Sequence, residues 1–322
     1  MVRPCALLNP DTRRSRTRRP RRLRRSNRFR RRPDPPMTSP HRDRQASMTS
    51  PFDYTGRIVL VTGAATGMGA ETAALLVEAG AEVHALDIAE VTGPVAGSQR
   101  VDLGDSTSID GVLDALPERI DAVMNCAGIP GGTRFDARTV MRVNFLGLRH
   151  LTEAIFDRIP SGGSVTSIAS LAGGGWTNHV AELTELLATG DFRAAEAWLD
   201  GRDDLIGDGY GFSKECVQYW TMWRSVTAIK SGVRINSICP GVTDTAIMAD
   251  FRQAMGDNAI EMTAEAGIGR LATADEMAPA MAFLGSEGAA SYVNGVNLDI
   301  DGGFMAAMTT GQVDFAKYGF GG

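Results

Sequence analysis

Cysteine and histidine are scarce in this chain of 322 residues, with four of each. Cys5, Cys126, Cys216 and Cys239 are widely spaced and form no CxxC pair. That argues against a disulfide framework or a zinc site and suits a reducing, cytoplasmic compartment. His41, His84, His150 and His179 form no ligand cluster either, so no metal is expected. No uninterrupted apolar run reaches the roughly 18–20 residues needed to span a bilayer. Residues 1–30 hold no compact apolar stretch of signal-peptide type, and no membrane partner is expected. Lysine is missing from residues 1–47, which carry sixteen arginines and three aspartates. That segment is therefore +13, which leaves −18 for the remainder of a chain whose net charge is −5.

The segment TRRSRTRRPRRLRRSNRFRRRPDPP has no apolar period and should be disordered. Three readings of it compete: a nucleic-acid-binding arm, a transit peptide, and an over-extended start ahead of a true initiator at Met48 or Met37. Arginine without lysine, and without the aromatic interleaving that stacks on bases, favours the last. Residues 1–47 are accordingly set apart from a single domain over 48–322, and no nucleic-acid partner is expected.

The remainder has ample material for a core, since the chain is 43% hydrophobic and 22% charged. From Arg57 the pattern changes. RIVLVT reads as a buried strand, and GMGAETAALLVEAG carries apolar residues at helical spacing with Gly80 as its stop. EVHALD is a second strand. IDAVMNCAG, GGSVTSIAS, GVRINSICPG and GVNLDIDGG supply four more, with helix-length segments between them. Alternating strands and helices, with no internal repeat and no linker, predict an α/β fold: one doubly wound, Rossmann-type parallel sheet with helices on both faces.

Thr62-Gly63-Ala64-Ala65-Thr66-Gly67-Met68-Gly69 lies between the first strand and the first helix. Glycines here let the backbone turn tightly and approach a pyrophosphate at the helix N-terminus, against Gly63, Thr66, Gly67, Met68 and Gly69. Asp87 ends the next strand, 18 residues beyond Gly69. That spacing suits a carboxylate accepting from the adenosine ribose hydroxyls. Asp87 also repels a 2′-phosphate, and Ala65 and Thr66 supply no cation to receive one, so NAD is expected rather than NADP. No GK[ST] follows the glycines, which disfavours a nucleotide-triphosphate loop.

From about Tyr54 to Gly303 the sequence resembles the short-chain dehydrogenase/reductase family. TGxxxGxG is the glycine spacing of its single-domain members. The resemblance implies that Asp102 and Leu103 contact the adenine, and that the NxAG segment with Asn125, Ala127 and Gly128 supports the central sheet and lies beside the cofactor. It further implies that Pro240 and Gly241, with Thr243 and Thr245 after them, cover the nicotinamide and its phosphates. Asn144, in RVNFLG, matches the helix asparagine of the catalytic set. VTSIAS aligns with the family's strand end, which puts Ser170 at the catalytic place and Ser167 inside the strand. Because strand side chains alternate, a one-step error would turn the hydroxyl away from the site.

Tyr210 and Lys214 stand one helical turn apart, in YxxxK. Alone, this spacing is ordinarily no more than a helix pair. Hydride transfer between an alcohol carbon and nicotinamide requires a proton to move at the oxygen, and a free phenol titrates near pH 10. Lys214, on the same helix face, favours the phenolate. Ser170 would hydrogen-bond the substrate oxygen. The resemblance adds that Lys214 holds the nicotinamide ribose and that Asn144 holds a water relaying protons through Lys214. Tyr210 and Lys214 are thus expected to serve both catalysis and cofactor binding.

Forty positions separate Ser170 from Tyr210, an insertion over about 176–208. Two short helices are expected, with Val180, Leu183, Leu186 and Leu187 on one stripe and Phe192, Ala195, Trp198 and Leu199 on the other. Anchored at two catalytic residues, the insertion is expected near the substrate mouth. A lid or pocket wall competes there with a surface elaboration or oligomer contact. The architecture is similar to bacterial 3α-hydroxysteroid dehydrogenase/carbonyl reductases, and coniferyl-alcohol dehydrogenase-like members carry related insertions. Trp176, Trp198, Met248 and Met305 are candidates for an apolar pocket as much as for core. The expectation is an NAD-dependent alcohol dehydrogenase or carbonyl reductase, a homo-oligomer (dimer or tetramer), acting on a bulky apolar secondary alcohol or ketone such as a hydroxysteroid. The alternatives are a primary aryl or allylic alcohol, or a cofactor-bound nucleic-acid-binding regulator.

Overall fold

The computed structural model describes residues 52–132 and 134–320; the extension expected over residues 1–47 lies outside them. β1 (Ile58–Thr62), α1 (Gly67–Glu78) and β2 (Glu82–Asp87) open the fold, followed by β3 (Gly97–Arg100) and α2 (Ser106–Val112). After β4 (Ala122–Asn125) comes a long helical stretch: α3 (Ala137–Met141), a π-helical turn over Arg142–Gly147, and α4 (Leu148–Ala154). β5 (Ser164–Ile168) leads through a 3-10 stretch, Leu171–Asn178, into α5 (Val180–Leu187), α6 (Phe192–Trp198) and α7 (Asp203–Ile206). Then come α8 (Tyr210–Ala228), β6 (Arg234–Pro240), β7 (Thr243–Asp244), α9 (Met248–Met255) and α10 (Asp257–Ala266). β8 (Ala272–Thr273), α11 (Ala278–Gly285), α12 (Glu287–Ala290), β9 (Asn297–Ile300) and α13 (Phe304–Thr309) complete the order.

Seven strands form one parallel sheet in the order β3-β2-β1-β4-β5-β6-β9, and β7 and β8 pair separately. β1 pairs with β2 on one side and β4 on the other, so the chain reverses direction across the sheet there. In such sheets ligands bind in the crevice beyond the carboxyl ends of the strands at this reversal. Side-chain alternation divides the apolar residues between two faces. Val59, Val61 and Met124 join Leu76 of α1 and Met281 of α11 in one core. Leu60, Val123 and Val165 join Phe145, Leu151 and Trp220 in the other, beneath α4 and α8.

The six strands read from the sequence all form. β3 was not foreseen because GSQR is polar and mostly exposed, as an edge strand can be. Gly80 (φ 91°) follows the end of α1, and its N–H donates to the Val77 carbonyl at 3.0 Å. The insertion forms three helices rather than two, with the 3-10 stretch before them. Leu183, Leu186, Leu187, Phe192, Ala195 and Leu199 are buried as their stripes predict, whereas Val180 is 40% exposed.

Candidate active site

The glycine turn is shaped by close approach. A Cβ on Gly69 would stand 2.0 Å from the Gly63 carbonyl oxygen, and one on Gly63 would stand 2.6 Å from Ala127 Cα. Gly63 and Gly67 also have positive φ (67° and 59°), which favours glycine. The Thr62 hydroxyl accepts from the N–H groups of Cys126 (3.1 Å) and Ala127 (3.2 Å), tying the ends of β1 and β4 together. No side chain caps the start of α1, so its first N–H groups remain for an anion. Asp87 is fixed at the rim: its two oxygens accept from Ala65 N–H and Ala89 N–H, both at 2.9 Å.

These elements enclose a cleft of about 360 Å³. It is lined by Gly63, Thr66, Gly67, Met68, Gly69, Asp87, Asp102, Leu103, Ala127, Gly128 and Thr245. No lysine or arginine among the described residues lines it. Its shape and its free helix N-terminus fit a nicotinamide dinucleotide, with the Asp87 carboxylate at the rim. Asn125 supports the sheet beside the cleft. Its carboxamide is turned into the layer between strands and α4, donating to the hydroxyls of Thr152 (3.1 Å) and Ser167 (3.4 Å), and it is not among the residues lining this cleft. Alternation along β4 faces it away from the cleft.

A second cavity of about 330 Å³ adjoins the first, sharing Met68, Cys126, Gly128, Ile129, Thr245 and Ile247 with it. Ser170, Tyr210, Lys214, Pro240, Gly241 and Thr243 line it. Ser167 lies buried within β5, whereas Ser170 stands half-buried at the strand end. Burial pushes the Tyr210 phenol up to about 12; a hydrogen bond from Ser170 works against this, and the Asp208 charge adds to it. The Lys214 ammonium donates to the Ile168 carbonyl at 3.0 Å, and burial pulls it down to about 8. It lies 5.6 Å from the centre of the Tyr210 ring. Asn144 is buried in the π-helical turn. Its Oδ1 accepts from Ile129 N–H (2.8 Å), and its Nδ2 donates to the Ile129 carbonyl (3.0 Å) and to Ser213 Oγ (3.2 Å). A Cβ on Gly128 would stand 3.4 Å from Asn144 Oδ1 and 3.6 Å from Lys214 Nζ, so the two side chains meet at this glycine.

The outer wall is apolar and, apart from Met305, comes from residues not singled out in the sequence. Phe251 and Met255 of α9, Met262 of α10, and Phe304 and Met305 of α13 line it, and Phe251 meets Tyr210 edge-on at 5.1 Å. Met305 alone among the four apolar candidates is there. Met248 is buried elsewhere, Trp176 packs on Tyr219, and Trp198 stacks on Phe212. The insertion starts and ends near Ser170 and Tyr210, but no residue of α5–α7 lines the cavity. Its stripes are drawn to the apolar flank of α4 and α8, and the expected wall is built by α9, α10 and α13 instead. Thr62 was also missed; its signal was a hydroxyl at the last position of an otherwise apolar strand.

A phenol, an ammonium and a hydroxyl that together line the second cavity can move a proton at an oxygen held between them. Among the described residues no group of three or more His, Cys, Asp or Glu is placed to hold a metal, and no helix is long and apolar enough to cross a membrane. Residues 57–181 match the short chain dehydrogenase family, and residues 206–305 match the Enoyl-(Acyl carrier protein) reductase family. The chain is 34% identical to a coniferyl-alcohol dehydrogenase of Pseudomonas sp. (strain HR199 / DSM 7063), over 79% of this chain and 99% of the relative. It is 30% identical to a 3-alpha-hydroxysteroid dehydrogenase/carbonyl reductase of Comamonas testosteroni, again over 79% and 99%. A solved 3-alpha-hydroxysteroid dehydrogenase from Pseudomonas sp. B-0831, complexed with NADH, is 26% identical with a TM-score of 0.65, covering 80% of this chain and all of its own.

Proposed function

The chain belongs to the short-chain dehydrogenase/reductase family and is an oxidoreductase acting on alcohols or ketones, and we propose that it interconverts a bulky apolar secondary alcohol and its ketone with NAD. The observation that carries this reading is the meeting of Ser170, Tyr210 and Lys214 in an apolar cavity that opens onto the cleft of Asp87 and the glycine turn. Residues 48–322 act as one catalytic domain in this reading. NAD, when bound, supplies the hydride acceptor or donor. Gly63, Thr66, Gly67, Met68 and Gly69 would hold its phosphates, Asp87 its adenosine ribose, and Lys214 its second ribose. The Tyr210 phenolate takes the proton of the substrate hydroxyl. Lys214 favours the phenolate by its charge, and Ser170 donates a hydrogen bond to the substrate oxygen. Asn144 fixes the Ile129 backbone at the mouth shared by the two cavities.

A hydroxysteroid fits the apolar wall, and the Comamonas relative supports that class. A second reading, a primary aryl or allylic alcohol, is favoured by the 34% identity to a coniferyl-alcohol dehydrogenase and by the aromatic side chains Phe251 and Phe304 on the wall. Following NADH absorbance over a panel of hydroxysteroids, aryl alcohols and terpenols separates the two. With NADP the rate should be far lower, and Asp87→Ala should narrow the gap by removing the charge that repels a 2′-phosphate. Equal wild-type rates with both cofactors would sink the NAD assignment.

A further inference from the structure

The insertion lies against both helical stretches that carry catalytic groups. Toward α3 and α4 it is held by three arginines. Arg149 donates to four acceptors where α5 ends: the carbonyls of Leu186 (3.2 Å), Leu187 (3.3 Å) and Thr189 (2.5 Å), and the Thr189 hydroxyl (3.1 Å). Helix-end carbonyls lack partners within the helix, and a cation is favoured there. Arg138 pairs with Asp200 at 2.8 Å, and Arg142 pairs with Glu196. Toward α8, Leu183, Phe192 and Leu199 share one core with Phe212 and Cys216. His179 Nδ1 meets the Glu215 carboxylate at 2.7 Å, and Thr184 meets the Tyr219 hydroxyl at 2.8 Å. Phe212, Glu215 and Cys216 stand between and beside Tyr210 and Lys214.

The three arginines bracket the π-helical turn that presents Asn144: two lie at or before its start and one just after its end. A π turn is rare within a helix, and uncommon backbone geometry persists where the surroundings over-determine it. Across the gap Asn144 Nδ2 donates to Ser213, on the helix of Tyr210 and Lys214. We propose that the insertion is a brace that sets the π turn of Asn144 against the helix of Tyr210 and Lys214, with Arg149 as the positioning residue on which the brace turns. This rests on the catalytic reading above and differs from a lid, because no residue of α5–α7 lines the substrate cavity.

The test is steady-state kinetics of the full chain carrying Arg149→Gln. Loosened positioning lowers kcat by roughly tenfold or more, since small displacements at a reacting centre are costly. The KM for the alcohol and the order of preference across the panel stay as in the wild type, and Arg149→Lys recovers part of kcat. Should Arg149→Gln fold poorly, the paired change Glu196→Gln with Asp200→Asn, at the partly exposed ends of the brace, gives a smaller fall in kcat alone. A reordered panel or a raised KM with kcat intact makes the insertion a lid and overturns the brace. Wild-type kcat in all these variants also overturns it. Absence of NAD-linked turnover in the wild type overturns the catalytic reading itself, a separate result.

Discussion

Burial moves the two titratable side chains of the site in opposite directions. It lifts the Tyr210 phenol to about 12 and draws the Lys214 ammonium down to about 8, in each case against the charged form. Phe251 adds an apolar face from α9, and the Arg134–Asp250 pair stands on neighbouring segments at 3.4 Å between its charges. Asp208 is the carboxylate that acts on the phenol. Its Oδ1 accepts from the Tyr210 N–H at 2.9 Å, and its negative charge opposes phenolate formation. Asp208→Asn keeps an acceptor for that N–H and removes the charge. The phenolate should then form at lower pH, so the rising limb of kcat/KM for alcohol oxidation moves to lower pH with its plateau unchanged. A pH–rate profile checks this, and an unmoved limb would mean that the phenol does not feel Asp208. At this scale the sequence was readable where spacing fixes direction. One turn between Tyr210 and Lys214 puts them on one helix face, and strand alternation separates Ser170 from Ser167. Asn125 ties β4 to β5 and α4, the sheet-supporting part expected of its segment, while Ala127 and Gly128 line the cleft.

Among the elements, α9, α10 and α13 make the apolar wall of the second cavity, the proposed substrate site, and the C-terminal segment contacts α10. Asp301 caps α13, accepting from Gly303 N–H (2.8 Å) and Met305 N–H (2.7 Å). Farther on, the Lys317 ammonium and the Tyr318 hydroxyl both meet the Glu265 carboxylate of α10, and Asn258 Nδ2 donates to the Tyr318 carbonyl at 3.2 Å. Exposed ion pairs add little by themselves, so the contribution of this segment to binding comes mainly from Phe304 and Met305. Deleting residues 304–322 should raise the KM for the alcohol by about tenfold or more, as two large apolar contacts are lost. NADH binding, followed by its fluorescence, should persist because the dinucleotide cleft has no residue from this segment. An unchanged KM would remove α13 from the substrate site. The apolar strands β1, β4, β5 and β6 were legible because each is buried on both faces. The polar edge strand β3 carries no such signal. Insertion stripes revealed helices but not their direction, since their partners are Arg149, Phe212 and other residues remote in sequence. Methionine and phenylalanine on α9, α10 and α13 read equally well as core.

Over the whole molecule, the strand order brings residues from Thr62 to Met305 to the carboxyl end of a single sheet. Loops leaving β1, β2 and β4 form the cleft with a carboxylate at its rim, and those leaving β5 and β6, with the start of α8, form the apolar cavity beside it. The insertion braces this arrangement from outside. The central proposal is that Tyr210 moves the proton at the substrate oxygen, in a reaction for which a bound NAD would supply the hydride chemistry. It is tested most directly by NADH absorbance with the wild type and Tyr210→Phe on the best alcohol of the panel. The account predicts that the variant still binds NADH but loses about 10²–10⁴ in kcat. Turnover by Tyr210→Phe at the wild-type rate would contradict it.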